Sequence, residues 1–361
     1  MEAILPSLKT KIIELVKAGN KVEDVILPFH WTEAFLAQFG VVADVEFVAK
    51  ALEGFYEKHS AGMTTHAKKY ANFAGSDPWS MGAMVGSVNE ISGAKVISFG
   101  RDNKPKNLPV SHADGFLADK DTGVRKMTLE CISPSDLRTG WFALVFFDLV
   151  FKNKIDVEVL VIGSSAIAEA CIRMLNYGAS DRIKHIKVLS KSGTTNFELV
   201  ERLQKEVKIL LTATNDRAEI PVAAYLITAT NAGKPVVEEN EIGPNAKVLS
   251  QGIDDLPAAY IERLITKFGA MIGDDLDAME QRNVDPLALF YSRKGEKLTG
   301  QGKRDGAVNI GDVLANPAFL RMFHVCVCDA AFFPVGLVGY DIAVNEAIMA
   351  ALTAAIRAAA A

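Results

Sequence analysis

Glu158-Val-Leu-Val-Ile-Gly163-Ser-Ser-Ala-Ile-Ala168 joins a short apolar run to a glycine and then directly to a helix-forming segment, Ala168-Glu-Ala-Cys-Ile-Arg-Met-Leu175. A strand that turns on glycine into a helix leaves backbone N–H groups unpaired at the helix N-terminus, where a pyrophosphate can be held. The glycine fingerprint of such a turn is kept in part. Gly163 holds the first position and Ala168 is an accepted residue at the third, but Ser165 stands at the second. Alone, the segment reads equally as a dinucleotide turn or as a plain strand-to-helix connection. If it binds, the phosphate cradle is Gly163, Ser164, Ser165, Ala166 and Ile167.

From residue 155 onward, strands alternate with helix-length connections. Val157 to Ile162 precedes a helix over 166–177. His185 to Leu189 precedes a helix over 195–206. Ile209 to Thr214, Ala223 to Thr230 and Lys247 to Ser250 follow, then a helix near 257–267 and a strand Ala270 to Gly273. Such an order predicts an α/β fold with a doubly wound parallel sheet of Rossmann type and right-handed crossovers. Ligands of these sheets sit beyond the carboxyl ends of the strands. That places Thr228, Ala229, Thr230 and Asn231 at one ligand edge, and Ser190-Lys191-Ser192 where the ribose is read. No acid stands there to accept from a 2′-hydroxyl, and Lys191 between two hydroxyls suits a 2′-phosphate. The pattern favours NADP(H), with NAD(H) as the alternative.

The 361 residues leave room for a second domain. Residues 1–60 carry apolar spacing typical of helices, over Leu8 to Ala18 and Thr32 to Tyr56. Val96 to Phe99, Ser111 to Ala118 and Lys126 to Cys131 read as strands, with Asp121-Thr122-Gly123 as a hairpin turn. Ser133, as N-cap, and Pro134 open a helix running to about Phe151. The expected division is an α+β substrate and dimerisation domain, residues 1–152 with 318–361, and a dinucleotide domain, residues 153–317. A net charge of −5 gives no electrostatic case for nucleic acid or an anionic membrane. No apolar run reaches spanning length by inspection, and no secretory signal is visible; the expected compartment is the cytoplasm. The four cysteines form no metal spacing, and Cys326 and Cys328 read as two thiols on one face of a strand.

Three cations stand out beyond the dinucleotide segment. Lys95 lies within an apolar strand, Arg138 within an apolar helix, and Lys68 beside Lys69. A guanidinium in a buried helix needs a partner, which is either an internal carboxylate or that of a substrate held bidentately. Asp254 and Asp255 read alternatively as a helix cap ahead of Leu256-Pro257.

The order of these pieces resembles the ornithine cyclodeaminase/mu-crystallin family over roughly residues 64–345. The carrying segments are Ile91-Ser-Gly-Ala-Lys95, Asp119…Asp121-Thr122, Ile132-Ser133…Leu137-Arg138-Thr139, the Gly163 turn, Leu226 to Asn231, Ser250…Asp255 and Pro334-Val-Gly-Leu-Val-Gly-Tyr-Asp341. The nearest branch is the one with amino-carboxyethyl-glutamate synthase. The resemblance implies that Lys68, Lys95 and Arg138 hold an amino or keto acid, with Thr139 and Arg138 beside the cofactor. It also implies that Lys95 and Asp255, or Asp254, exchange protons, and that Gly336 and Asp341 close the nicotinamide site. The implied activity is NAD(P)-dependent oxidoreduction at a C–N bond, in a homodimer without metal. The alternatives are an ammonia-eliminating cyclodeaminase and a non-catalytic binding protein. Ser165, Gly140-Trp141 and Gly339-Tyr340 depart from the family pattern.

Overall fold

The computed structural model describes residues 5–67, 70–72, 79–325 and 327–361. It divides into two compact units, Met1–Arg138 with Leu337–Ala361, and Thr139–Gly336.

The first unit begins with α1 (Leu5–Lys17), α2 (Val22–Ile26), the short strand β1 (His30–Trp31), α3 (Glu33–Gln38), α4 (Val45–Leu52) and α5 (Phe55–Ser60). The expected helix over Thr32 to Tyr56 is therefore three helices. Thr32 and Asp44 cap the first and second starts by accepting from Phe35 and Phe47 backbone N–H groups, while Gly54 sits at φ +71° before α5. Strands β2 (Thr64–His66), β3 (Tyr70–Asn72), β4 (Trp79–Val88), β5 (Ile91–Gly100), β6 (Ser111–Asp119) and β7 (Arg125–Glu130) follow. They form a sheet of order β1-β7-β6-β5-β4-β2, with β3 also on β4 and every pair antiparallel except β1 with β7. The β6–β7 turn is the expected hairpin: Gly123 takes φ +70°, and Asp119 Oδ1 accepts from the N–H groups of Asp121 and Thr122.

Helix α6 (Ile132–Val150) opens one residue before the expected cap. Ser133 lies inside the first turn, and the Glu33 carboxylate caps it by accepting from Ser133 N (2.9 Å) and Oγ (2.6 Å). A carboxylate there also meets the positive end of the helix dipole.

The C-terminal helix, Val338–Ala360, lies on the sheet because glycines clear the way. A Cβ at Gly86 would stand 2.6 Å from Val338 Cγ1, one at Gly93 2.7 Å from Ile342 Cγ1, and one at Gly115 2.4 Å from Asn345 Nδ2. Gly86 and Gly93 are register partners across β4 and β5. This helix also corrects an expectation: at 23 residues, with a hydropathy of 1.4 in its most apolar window, it is long and apolar enough to span a membrane. Here its composition is explained by a buried stripe, Val338, Ile342, Asn345, Ile348, Leu352 and Ile356, at helical spacing.

The second unit holds the remainder of α6 and an eight-stranded sheet. Its elements are β8 (Val157–Ile162), α7 (Ala166–Ala179), β9 (Ile183–Leu189), α8 (Thr195–Leu203), β10 (Leu211–Thr214), β11 (Tyr225–Thr228), β12 (Lys247–Ser250), α9 (Ala258–Thr266) and β13 (Ala270–Gly273). They continue with α10 (Leu276–Arg282), α11 (Pro286–Arg293), β14 (Ala307–Asn309), α12 (Ile310–Ala315), α13 (Pro317–Val325) and β15 (Ala330–Phe333). The order is β10-β9-β8-β11-β12-β15-β13-β14, with every pair parallel. Strand order reverses at β8, so the crevice between β8 and β11 is the topological switch point.

The compact units do not divide at 152/153 and 317/318, as expected from sequence, because β15 is hydrogen-bonded between β12 and β13 and belongs to the parallel sheet. Gly140 explains one departure from the family pattern: a Cβ there would stand 2.4 Å from the Ala170 carbonyl carbon, so α6 meets α7 backbone on glycine. The thiol expectation also fails. Val325 ends a helix, the strand begins at Ala330, and Cys328 is disulfide-bonded; Cys326 lies outside the described residues.

The glycine-cleared contact generates a direct test. Gly93→Ala drives a methyl group into Ile342 and the Phe116 carbonyl, and should lower unfolding free energy by about 1–3 kcal/mol, the usual overpacking cost, in a urea titration. Unchanged stability would contradict the packing.

Candidate functional site

In the second unit, backbone geometry makes the Gly163 turn. Gly163 takes φ +124°, and a Cβ would stand 2.2 Å from Ala229 O. Strand β8 can therefore turn beside the end of β11 only on glycine. Ser165 is the N-cap of α7: its Oγ accepts from Ala168 N (3.3 Å) and donates to Ala229 O (3.2 Å). Its hydroxyl is thus committed to closing the turn, which accounts for serine at the second fingerprint position. First-turn N–H groups have no intrahelical acceptor, and Ala166 and Ile167 supply two at this helix end.

Beside that turn lies a set of hydroxyls that the sequence reading found only in part. Ser164 Oγ is 2.6 Å from Thr195 Oγ1, which is 2.9 Å from Ser192 Oγ; Ser190 Oγ is 3.2 Å from Ser192 Oγ. They bring the ends of β8 and β9 to the start of α8. Buried Asn196 locks the arrangement, accepting from Ser190 Oγ (2.9 Å) and donating to Val188 O (3.2 Å) and Thr214 O (2.9 Å). Lys191 is exposed in the same loop. Thr195 and Asn196 escaped sequence analysis because their role depends on two strand ends meeting one helix start.

Thr228 and Ala229 are buried at the end of β11, Thr230 is half-buried and Asn231 exposed. Thr139 is half-buried on α6. Gly336 takes φ +75°, and its N–H donates to Asp274 Oδ2 at 2.7 Å, with Val335 N–H on Oδ1 at 3.1 Å. Asp274, which carried no sequence signal, thereby fixes the turn that follows β15. Burial pushes its carboxyl above the usual range against those two donors.

The paired aspartates have different partners. Asp254, at φ +51°, is held by both terminal nitrogens of Arg293, at 3.1 and 2.6 Å. Asp255 is fully buried. Its Oδ2 accepts from Gly252 N at 2.9 Å, and the Ser250 and Thr228 hydroxyls also donate to its carboxylate. Burial raises the Asp255 carboxyl despite these donors. Neither caps α9, whose N-cap is Pro257.

In the first unit, Lys95 and Arg138 converge on one residue. Lys95 faces inward on β5 with 1% exposure, and its Nζ donates to Asp341 Oδ1 at 2.8 Å and to Ser135 Oγ. Arg138 Nε donates to the same oxygen at 3.1 Å. The helical rise from Ile132 sets Ser135 and Arg138 on one side of α6, and Asp341 lies in the first turn of the C-terminal helix. Asp341 Oδ2 is buried with no hydrogen-bond partner among the described residues. The Arg138 terminal nitrogens donate to no described residue. Burial, reinforced by Arg138, lowers the Lys95 pKa below that of free lysine, with Asp341 opposing. Burial alone would raise the Asp341 carboxyl, but Arg138 and Lys95 outweigh it and hold it low. Cys131 nearby is no nucleophile, because burial pushes its thiol up to about 12. Lys68 lies outside the described residues, and no metal-binding group of three His, Cys, Asp or Glu side chains occurs among the described ones.

A family model described as the ornithine cyclodeaminase/mu-crystallin family matches residues 36–306. No curated protein matches. Among solved structures, the chain is similar to the Δ1-pyrroline-2-carboxylate reductase of Thermococcus litoralis, in complex with NADH and L-proline. They share 16% identity over 89% of this chain and 96% of that one, with a TM-score of 0.74. An archaeal alanine dehydrogenase dimer with bound NAD shares 17% over 89% and 94%, at 0.72. The iminosuccinate reductase of Paracoccus denitrificans, in complex with NAD+, shares 14% over 89% and 95%, at 0.72.

The glycine and the serine of the turn separate by variant. Gly163→Ala should abolish dinucleotide binding in a fluorescence titration. Ser165→Ala should cost about 1 kcal/mol of stability as a lost cap while changing affinity less than about threefold, since its hydroxyl serves the turn. Loss of binding in the serine variant would make it a phosphate ligand.

Proposed function

Since the chain belongs to the ornithine cyclodeaminase/mu-crystallin family, we propose that it is an NAD(P)-dependent oxidoreductase acting on the C–N bond of an α-imino or α-amino acid. The observation that carries this reading is the buried convergence of Lys95 and Arg138 on Asp341. Arg138 offers to a carboxylate terminal nitrogens that donate to no described residue, and a guanidinium fork grips a carboxylate in two places. Lys95 is an ammonium with a lowered pKa, suited to protonating a substrate nitrogen.

The second unit fits a dinucleotide. Gly163 supplies the cradle that a Cβ would fill, α7 directs N–H groups from its end, and the Ser164, Ser190, Ser192 and Thr195 hydroxyls with Lys191 suit a 2′-phosphate, favouring NADP(H) over NAD(H). When bound, the dihydronicotinamide supplies the hydride. Arg138 holds the substrate carboxylate and fixes the imine carbon; Lys68, from its family match, assists. Lys95 Nζ donates to the imine nitrogen and delivers its proton as the amine forms. Thr139 and Gly336 position the cofactor. Asp255 is preferred to Asp254 for returning the proton, because Asp254 is committed to Arg293.

The test is a cofactor-oxidation screen of keto acids with amines, and of cyclic imino acids, with mass spectrometry of the products. NADPH should be consumed as an amino acid forms. Ammonia released from a diamino acid without net NADPH oxidation would contradict net reduction. Arg138→Ala should lower kcat/KM by about a hundredfold or more with dinucleotide affinity unchanged. Because Lys95 must be protonated to donate, reduction should fall as pH rises through its lowered pKa, and Lys95→Arg should move that limb upward. A limb that stays in place removes the Lys95 assignment.

The outer face of the first unit's sheet presents Met81 and Val85 on β4 and, across β5, Phe116 on β6, 45%, 46% and 38% exposed. An apolar patch of this kind on a sheet face marks an interface, here with a second copy. Light scattering should give a dimer, and Val85→Glu with Phe116→Glu a monomer; an unchanged dimer would place the interface elsewhere.

A further inference from the structure

We propose that Asp341 receives the substrate's nitrogen, its free Oδ2 accepting the N–H of an α-amino acid, or of an α-imino acid whose nitrogen bears hydrogen, with the carboxylate held by Arg138. The inference deepens the imino-acid reading and rests on it. Both cations use one oxygen of the carboxylate: Lys95 Nζ and Arg138 Nε meet Oδ1 at 2.8 and 3.1 Å. Oδ2 is buried with no partner among the described residues, and the side chain is 3% exposed. An anionic oxygen left without a donor carries a desolvation cost that an internal residue normally removes. Here no described residue does so, and the unused acceptor sits on the same carboxylate that fixes a guanidinium with unused donors.

With Arg138 Nε 3.1 Å from Asp341 Oδ1, the acceptor Oδ2 and the guanidinium fork belong to paired groups and match a ligand carrying an N–H and a carboxylate on one carbon. Charge agrees. Lys95 and Arg138 bring two positive charges and Asp341 one negative, leaving one positive charge that a ligand carboxylate neutralises. A keto acid fills the Arg138 side but presents no donor to Oδ2. Asp341 therefore selects a nitrogen that carries hydrogen over a keto oxygen at the position next to the carboxylate, while Lys95 remains the proton donor.

The test uses two planar, non-reacting acids of the same shape: pyrrole-2-carboxylate, with an N–H beside the carboxylate, and furan-2-carboxylate, with an oxygen there. Binding to the full-length protein is measured by calorimetry with saturating NADP+. Wild type should prefer the pyrrole acid by about tenfold or more, as expected for a hydrogen bond to a charged acceptor. In Asp341→Asn the carbonyl oxygen stays with Lys95 and Arg138 and the amide donor faces the ligand, so the preference should vanish or invert. A merely structural ion pair would not change the ranking of the two acids. Equal wild-type affinities, or no binding of either acid, overturn the inference whether or not the variant folds, and so does an undiminished preference in a folded variant. Imino-acid turnover with equal affinities would sink the Asp341 assignment alone; pyrrole preference without turnover of any imino acid would sink the oxidoreductase reading instead.

Discussion

One carboxylate oxygen, Asp341 Oδ1, holds two buried cations that lie 246 and 203 residues away in sequence. It joins β5, the first turns of α6 and the start of the C-terminal helix at a point with almost no solvent access. Burying three charges is costly, and removing one partner from such a cluster leaves an uncompensated charge. The imbalance of one positive charge is what the proposed substrate carboxylate would neutralise, in a place where water competes poorly.

The glycines of β4, β5 and β6 serve the same end. Gly86, Gly93 and Gly115 let the C-terminal helix settle so close that Asp341, one turn into it, comes within 2.8 Å of Lys95. Larger side chains there would lift the helix and part the ion pair. The turn of the second unit is controlled by a similar economy of volume, since Gly163 passes the end of β11 where no Cβ fits. In both units, absent side chains determine where the polar groups stand.

Much of this was legible in the sequence. Alternation of strand and helix after residue 155 gave the parallel sheet, with β8, β12 and β13 at their expected bounds. Family spacing singled out Lys95 and Arg138 for the substrate and put Asp341 with Gly336 beside the nicotinamide, whereas Asp341 meets Lys95 and Arg138. Their shared oxygen was not readable, because a hydrogen-bond partner far along the chain leaves no periodic trace. Arg138 illustrates the limit: an internal carboxylate and a substrate carboxylate were alternatives in sequence, and the structure shows the internal one on Nε, with the terminal nitrogens donating to no described residue. Ser165 is the reverse case. Its place in a fingerprint suggested phosphate, whereas cap geometry commits it to Ala168 and Ala229. The helix over Thr32 to Tyr56 failed because apolar spacing continues through turns that short polar caps interrupt. The unit boundary failed because β15 inserts between β12 and β13, an order no local signal carries.

The most direct measurement of the central claim is a crystal structure of the protein with NADP+ and pyrrole-2-carboxylate. The account predicts the ligand carboxylate on the Arg138 terminal nitrogens and the ring N–H within hydrogen-bond distance of Asp341 Oδ2, with Oδ1 still shared by Lys95 and Arg138. A ligand bound away from this cluster, with Asp341 Oδ2 still unpartnered, would contradict it.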